Sequence, residues 1–90
     1  MTKIYLIVKD GCMPCARAKA ELAKVDGWEK VVNLIDVTED QEMIAFAKKC
    51  GVRMTPTLVA LTDDEVVAMI EGPRELTEDF WRDTVEKHAK

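Results

Sequence analysis

Apolar residues recur along this chain with two different periods. Ile4-Tyr5-Leu6-Ile7-Val8 is a short run of β-formers that is apolar on both faces, so Lys3–Val8 is predicted as a central strand covered on both sides. From Met13 to about Val25 the spacing changes to threes and fours, with Cys15, Ala18, Leu22 and Val25 on one face, which predicts a helix with Gly27 as its C′ stop. Val31–Val37 reads as a second strand. Thr38-Glu39-Asp40-Gln41 then fits a capping box, with Thr38 as N-cap and Gln41 reaching back. The helix behind it puts Met43, Phe46, Ala47 and Cys50 on one face, and Gly51 ends it. Thr57–Leu61 and Val66–Ile70 are strands joined by Thr62-Asp63-Asp64-Glu65, a connection short enough to demand an antiparallel hairpin. Gly72-Pro73 breaks the chain, and Leu76 to about Ala89 forms a last helix with Leu76, Phe80, Trp81 and Val85 facing inward.

The order is β-α-β-α-β-β-α. A helix joins the first two strands, so they should run parallel with a right-handed crossover. The hairpin adds antiparallel strands, giving an α/β fold with a four-stranded mixed sheet and helices on both faces. Ninety residues without repeat or linker make one domain, 1–90. A composition of 48% hydrophobic and 33% charged residues excludes a disordered chain. The apolar run at 4–8 is far short of the roughly 20 residues of a membrane span. It follows a single lysine and no small-residue cleavage site succeeds it, so neither a membrane nor a secretory signal is expected.

A net charge of −4 argues against a nucleic-acid partner. The charge is uneven, however. Residues 1–25 hold five Lys/Arg against Asp10 and Glu21, while residues 60–90 hold nine acids against four bases. These are either solvated helix faces or the sign of a mildly basic surface near the first helix. Three cysteines do not make a secreted disulfide scaffold, so a reducing compartment, the cytoplasm, is expected. The chain is expected to be a monomer.

The chemistry lies in Gly11-Cys12-Met13-Pro14-Cys15-Ala16-Arg17, directly after a strand and opening a helix. A Cys-x-x-Cys in that context reads as a redox motif. Cys12 falls at or near the helix N-cap, where unpaired N–H groups and the positive end of the dipole favour thiolate over thiol. Cys15, about one turn on and more buried, can close a disulfide with Cys12 but is poorly placed to meet a substrate. Pro14 suits the first helical turn and stiffens the loop between the sulfurs. Simple packing, or half of a zinc site, would also use two cysteines. A structural zinc site needs four ligands, and beyond carboxylates only Cys50 and His88 remain, neither with a close partner. A metal or iron–sulfur cluster bridged between two chains stays open; no cofactor or resident metal is expected. A second signal is Arg53-Met54-Thr55-Pro56-Thr57, a proline at the entrance to the third strand.

These two signals together resemble the thioredoxin/glutaredoxin superfamily, over nearly the whole chain. Cys-x-Pro-Cys at 12–15 is similar to the thioredoxin Cys-Gly-Pro-Cys, and Cys50-Gly51-Val52-Arg53-Met54-Thr55-Pro56-Thr57-Leu58 looks like the segment entering the cis-proline loop. Glu65-Val66-Val67-Ala68 followed by Gly72 looks like the last hairpin and its glycine. The resemblance implies a thioredoxin-like fold and a thiol–disulfide oxidoreductase in which Cys12 is the nucleophile and Cys15 resolves the mixed disulfide. It makes Pro56 a cis proline against the active-site disulfide, Thr55 the backbone partner of a substrate strand, and Gly72 the gap that admits it. Met13, Pro14, Met54 and Pro56 would surround Cys12 with an apolar substrate-binding skirt. The implied partners are disulfide-containing proteins as substrates and thioredoxin reductase or glutathione as reductant. The chain is also similar to glutaredoxin-like donors for ribonucleotide reductase, which implies that enzyme as one electron acceptor.

The departures are specific. Leu6 stands where thioredoxins bury an aspartate, Val32 where they place its facing lysine, and Gly11 where they carry tryptophan. The glycine pair and aspartate of glutaredoxins become Glu71-Gly72-Pro73, and Glu71 would repel a glutathione carboxylate if it pointed inward. Lys9 does match a glutaredoxin basic position and is a candidate contact for glutathione or a charged substrate. Cys50 reads as a small buried hydrophobe.

Overall fold

β1 (Thr2–Val8) takes the centre of the sheet because both its faces are apolar and both can be covered. In the computed structural model, which describes residues 2–88, it is flanked by β2 (Val32–Asp36) in parallel and by β3 (Thr57–Thr62) antiparallel. The hairpin partner β4 (Glu65–Glu71) forms the outer edge, so the order is β2-β1-β3-β4. Ile4 stands opposite Val32 on one side, and Leu6 opposite Leu58 on the other.

Alternation along β1 divides the core in two. Ile4, Leu6 and Val8 meet Cys15, Ala18 and Leu22 of α1 (Met13–Ala23) and Trp81 and Val85 of α3 (Glu78–His88). Ile7 points to the opposite face, where Val59, Leu61 and Tyr5 pack with Ala47, Phe46 and Cys50 of the α2 segment, the helix itself spanning Gln41–Lys49. The mixed four-stranded sheet with helices on both faces is thus present, and it carries the ends of β1 and β3 toward the start of α1.

Several boundaries differ from the sequence reading. α1 ends at Ala23 with Lys24 as its C-cap, so Gly27 is not its C′ residue; Gly27 instead precedes a 3-10 turn at Trp28–Lys30, too short to leave a periodic signal. The N-cap of α2 is Asp40, whose Oδ1 accepts from the N–H groups of Glu42 and Met43, and not Thr38. The other end of α2 is as expected: Gly51 N–H donates to Lys48 O and Val52 N–H to Ala47 O, the paired bonds of a Schellman stop. Both hairpin strands run further than expected and leave a two-residue loop, Asp63-Asp64, both with positive φ. Leu76 precedes α3 and is buried; Thr77 caps the helix through Oγ1, which accepts from Phe80 N–H. Ala89, expected in this helix, lies outside the described residues.

Candidate active site

The turn at Asp10-Gly11 converts strand into helix. Gly11 has φ +74, which a side chain would resist, so glycine here lets the chain reverse and present Cys12 at the mouth of α1. The turn is pinned to the following layer by Val37 N–H on Val8 O (2.9 Å) and by Asp10 N–H on Thr38 Oγ1 (2.7 Å). That second bond occupies the hydroxyl that the capping box would have used, which is the physical reason that Asp40 caps α2 instead.

Cys12 is the N-cap of α1, and its sulfur does the work that a serine oxygen does elsewhere: Cys15 N–H donates to Sγ at 3.2 Å. Met13 and Pro14 fill the first turn, and Ala16 N–H closes the first helical bond on Cys12 O at 3.1 Å. The two cysteines are joined in a disulfide, with Cα atoms 5.2 Å apart. Cys12 is half-buried and Cys15 only 1% exposed, so one sulfur faces outward and the other lies in the core.

The facing wall is the loop before β3. The Thr55–Pro56 bond is cis, and Pro56 is buried. Thr55 Oγ1 lies 3.6 Å from Cys12 Sγ, and Thr55 O lies 3.7 Å from it. Thr57, fully buried, donates from Oγ1 to Met54 O at 2.6 Å and so ties the loop shut from inside. Gly72 N–H donates to Pro56 O at 2.8 Å. Gly72 is itself buried, and Met54 Cε stands 4.0 Å from where its Cβ would be. Met13 (81% exposed) lies on the helix side of Cys12 and Met54 (47%) on the loop side. The substrate-binding and catalytic residues expected from the sequence therefore converge at one end of the sheet, where β1 ends and β3 begins, with Lys9 exposed beside them.

Glu71 does not turn inward. Its Oε1 is held by Arg53 Nη2 at 3.0 Å, on the surface. Leu6 and Val32 lie in the same buried cluster as Cys15, so the second cysteine has apolar surroundings at both of those positions. Cys50 packs on the opposite face of the sheet, where burial raises its pKa above the ordinary value and the charge of Lys49 partly offsets that. Among the described residues, no group of three or more His, Cys, Asp or Glu is placed to hold a metal ion, and no helix is long and apolar enough to cross a membrane. Two features escaped the sequence reading. The Thr55 side chain, rather than its backbone alone, reaches Cys12, and Lys48 joins Lys9 and Arg53 around one groove. The only local signal for the first is a hydroxyl residue next to the proline; no local signal exists for the second.

No family model and no curated protein matches this sequence. Solved structures do match. A point-mutant thioredoxin from Halobacterium salinarum is 29% identical, with a TM-score of 0.71, over 99% of this chain and 75% of that one. Thioredoxin from Aeropyrum pernix has a TM-score of 0.73 at 17% identity, covering 96% and 73% of the two chains. Fasciola hepatica thioredoxin is 24% identical with a TM-score of 0.67, covering 97% and 80%. The fold is the thioredoxin fold, and the Cys12–Cys15 pair stands at the N-terminus of α1 facing a cis proline. The chain has the thioredoxin fold, and its Cys12–Cys15 pair, one sulfur half-buried and the other in the core at a helix N-terminus, is an arrangement fit for thiol–disulfide exchange.

Proposed function

We propose that this protein is a small thioredoxin that reduces protein disulfides in the cytoplasm, as a monomer, with thioredoxin reductase as its electron source. The observation that carries the reading is the position of Cys12 Sγ. It is half-buried, it accepts the Cys15 N–H at a helix N-terminus, and it faces Thr55 and cis-Pro56. Those donors favour the thiolate, the attacking species. The Cys12 thiolate attacks a substrate disulfide, forming a mixed disulfide and expelling one substrate thiolate. Cys15 then attacks Cys12 Sγ, expelling the second, and the protein is left oxidised. Two electrons pass from the dithiol to the substrate; the Cys15 proton passes to an expelled substrate thiolate, and the other substrate sulfur takes its proton from solvent, to which Cys12 had released its own.

Met13, Pro14 and Met54 form the apolar rim that a substrate chain rests on, with Pro56 buried behind them, Thr55 offers it backbone pairing, and Gly72 keeps that rim low. In this reading ribonucleotide reductase is one acceptor among such disulfide proteins. Reduction by glutathione is the second reading: Lys9, exposed beside the Thr55 loop, supports it, and Glu71, held on the surface by Arg53, does not turn inward to repel a glutathione carboxylate.

The test has two parts. Cys12→Ser should lose all reduction of a protein disulfide such as insulin; retained activity would refute the reading. The pre-oxidised protein is then given either NADPH with thioredoxin reductase or glutathione. Fast loss of the Cys12–Cys15 disulfide only with the reductase is expected, and fast loss only with glutathione would make the second reading the right one.

A further inference from the structure

A groove of about 500 Å3 opens beside the reactive cysteine on the α2 side of the sheet, and Thr55, whose hydroxyl reaches Cys12 Sγ, forms one end of it. Its charged lining comes from three separate segments: Lys9 ahead of the cysteine turn, Lys48 in the last turn of α2 and Arg53 ahead of the cis proline. No carboxylate lines it. On a chain of net charge −4 this is a local reversal of sign beside the Thr55 loop that faces the nucleophile. Arg53 is paired with Glu71, but among the described residues neither Lys9 nor Lys48 forms an ion pair, so their charges act into the groove. Ile44 and Met54 supply apolar wall between the cations. The acids lie elsewhere: Thr38 separates this groove from a second hollow lined by Asp10, Asp36, Glu39 and Asp40.

Resting on the oxidoreductase reading above, we propose that this groove selects protein disulfides whose cysteine is flanked by acidic residues. Opposite charge concentrates such a segment at the groove and orients it, and apolar wall between charges suits the side chains of an extended peptide. The same arrangement penalises a basic segment twice, by repulsion in the groove and by capture at the acidic hollow beyond Thr38. The chemistry is unchanged: Cys12 attacks the substrate sulfur that the groove holds near Thr55, the partner cysteine leaves as thiolate, and Cys15 completes the two-electron transfer. Selection acts on the encounter and thus on the second-order rate.

The experiment uses the full chain, reduced and freed of reductant, in single-turnover reaction with fluorogenic peptide disulfides that differ only in having Glu, Gln or Lys on both sides of the cysteine. At low ionic strength the Glu peptide should react about tenfold faster than the Gln peptide and the Lys peptide slowest. In about 0.5 M salt the margin should largely vanish. In the Lys9→Gln/Lys48→Gln variant the Glu-to-Gln ratio should fall to about one or two. Equal rates for the three peptides, or a margin that survives the double substitution, would overturn the proposal while leaving the oxidoreductase reading intact. Reaction with none of them would overturn that reading itself. If the substitutions slow only the glutathione mixed disulfide of the Gln peptide, the groove is a small-thiol site and selection of acidic polypeptides is wrong.

Discussion

Thr55 Oγ1 lies 3.6 Å from Cys12 Sγ, a contact between residues 43 positions apart in the chain. It places a second donor on the reactive sulfur, opposite the Cys15 N–H at 3.2 Å. Donors to a charged form favour that form. Thr55→Val keeps the shape and removes the donor, so the reduced variant should be alkylated by iodoacetamide about threefold more slowly at neutral pH. Thr55→Ser should restore the rate. Equal rates for wild type and the valine variant would mean that the helix terminus alone sets the reactivity of Cys12.

The two sulfurs differ in access, and this predicts which of them holds a trapped substrate. Cys15 is 1% exposed and lies in the buried cluster that holds Leu6, Ala18 and Val32, whereas Cys12 is half-buried. Cys15→Ser should leave the first attack possible and remove the second. A covalent adduct with a disulfide-bearing protein should then accumulate on a non-reducing gel and disappear with dithiothreitol. The Cys12→Ser protein should give no such adduct. Adducts through Cys15 instead would reverse the division of roles.

Glu21 of α1 links two helices that the sequence keeps far apart. Its Oε1 accepts the N–H of Glu78, the first residue of α3, at 3.1 Å, and its Oε2 meets Lys24 Nζ at 2.6 Å. The Lys24 ammonium, followed by the Glu78 N–H, lowers the Glu21 pKa below its usual 4.5. A carboxylate whose pKa is depressed by folding stabilises the protein above its unfolded value, and that contribution is lost as pH falls through the folded one. Glu21→Gln should therefore lower Tm at pH 7, and the difference between the two proteins should disappear as the pH falls through and below the ordinary carboxylate range. Because the pair is exposed, salt should shrink the difference. A Tm difference that does not change with pH would show that the carboxylate charge is irrelevant to the α1–α3 contact.

What could be read in the sequence was whatever is decided locally. β1 announced its central place because Ile4 to Val8 are apolar on both faces, and Cys12 announced its place because Gly11 and Pro14 fix a strand–helix junction around it. The cap of α2 went wrong where two suitable residues competed. Thr38 and Asp40 both cap helices well, and only the distant Asp10 N–H, which takes the Thr38 hydroxyl, decides between them. The groove beside Cys12 was illegible for the same reason. The uneven charge pointed to the first helix, yet Lys9 is joined there by Lys48 and Arg53 from beyond β2, through a packing of α2 on the sheet that no local pattern encodes.

Gly72 offers a last prediction, because two explanations for a glycine coincide there. Its φ of +85 is costly for any residue with a Cβ, by about 1 kcal/mol. It also lies against the active-site loop, with its N–H on Pro56 O and Met54 Cε 4.0 Å from the position of a Cβ. An added methyl meets no other atom within that distance, so Gly72→Ala should fold, with a Tm lowered by several degrees. If the glycine serves backbone geometry alone, the rate loss should be equal for a small disulfide and for a protein disulfide. If it also keeps the rim low beside Met54, the protein disulfide should lose about threefold more than the small one, because a polypeptide must lie across that rim and a small disulfide need not. Parallel second-order rates for the two substrates, wild type against Gly72→Ala, separate the cases. A differential loss is the expected result, and an equal loss would return Gly72 to the turn.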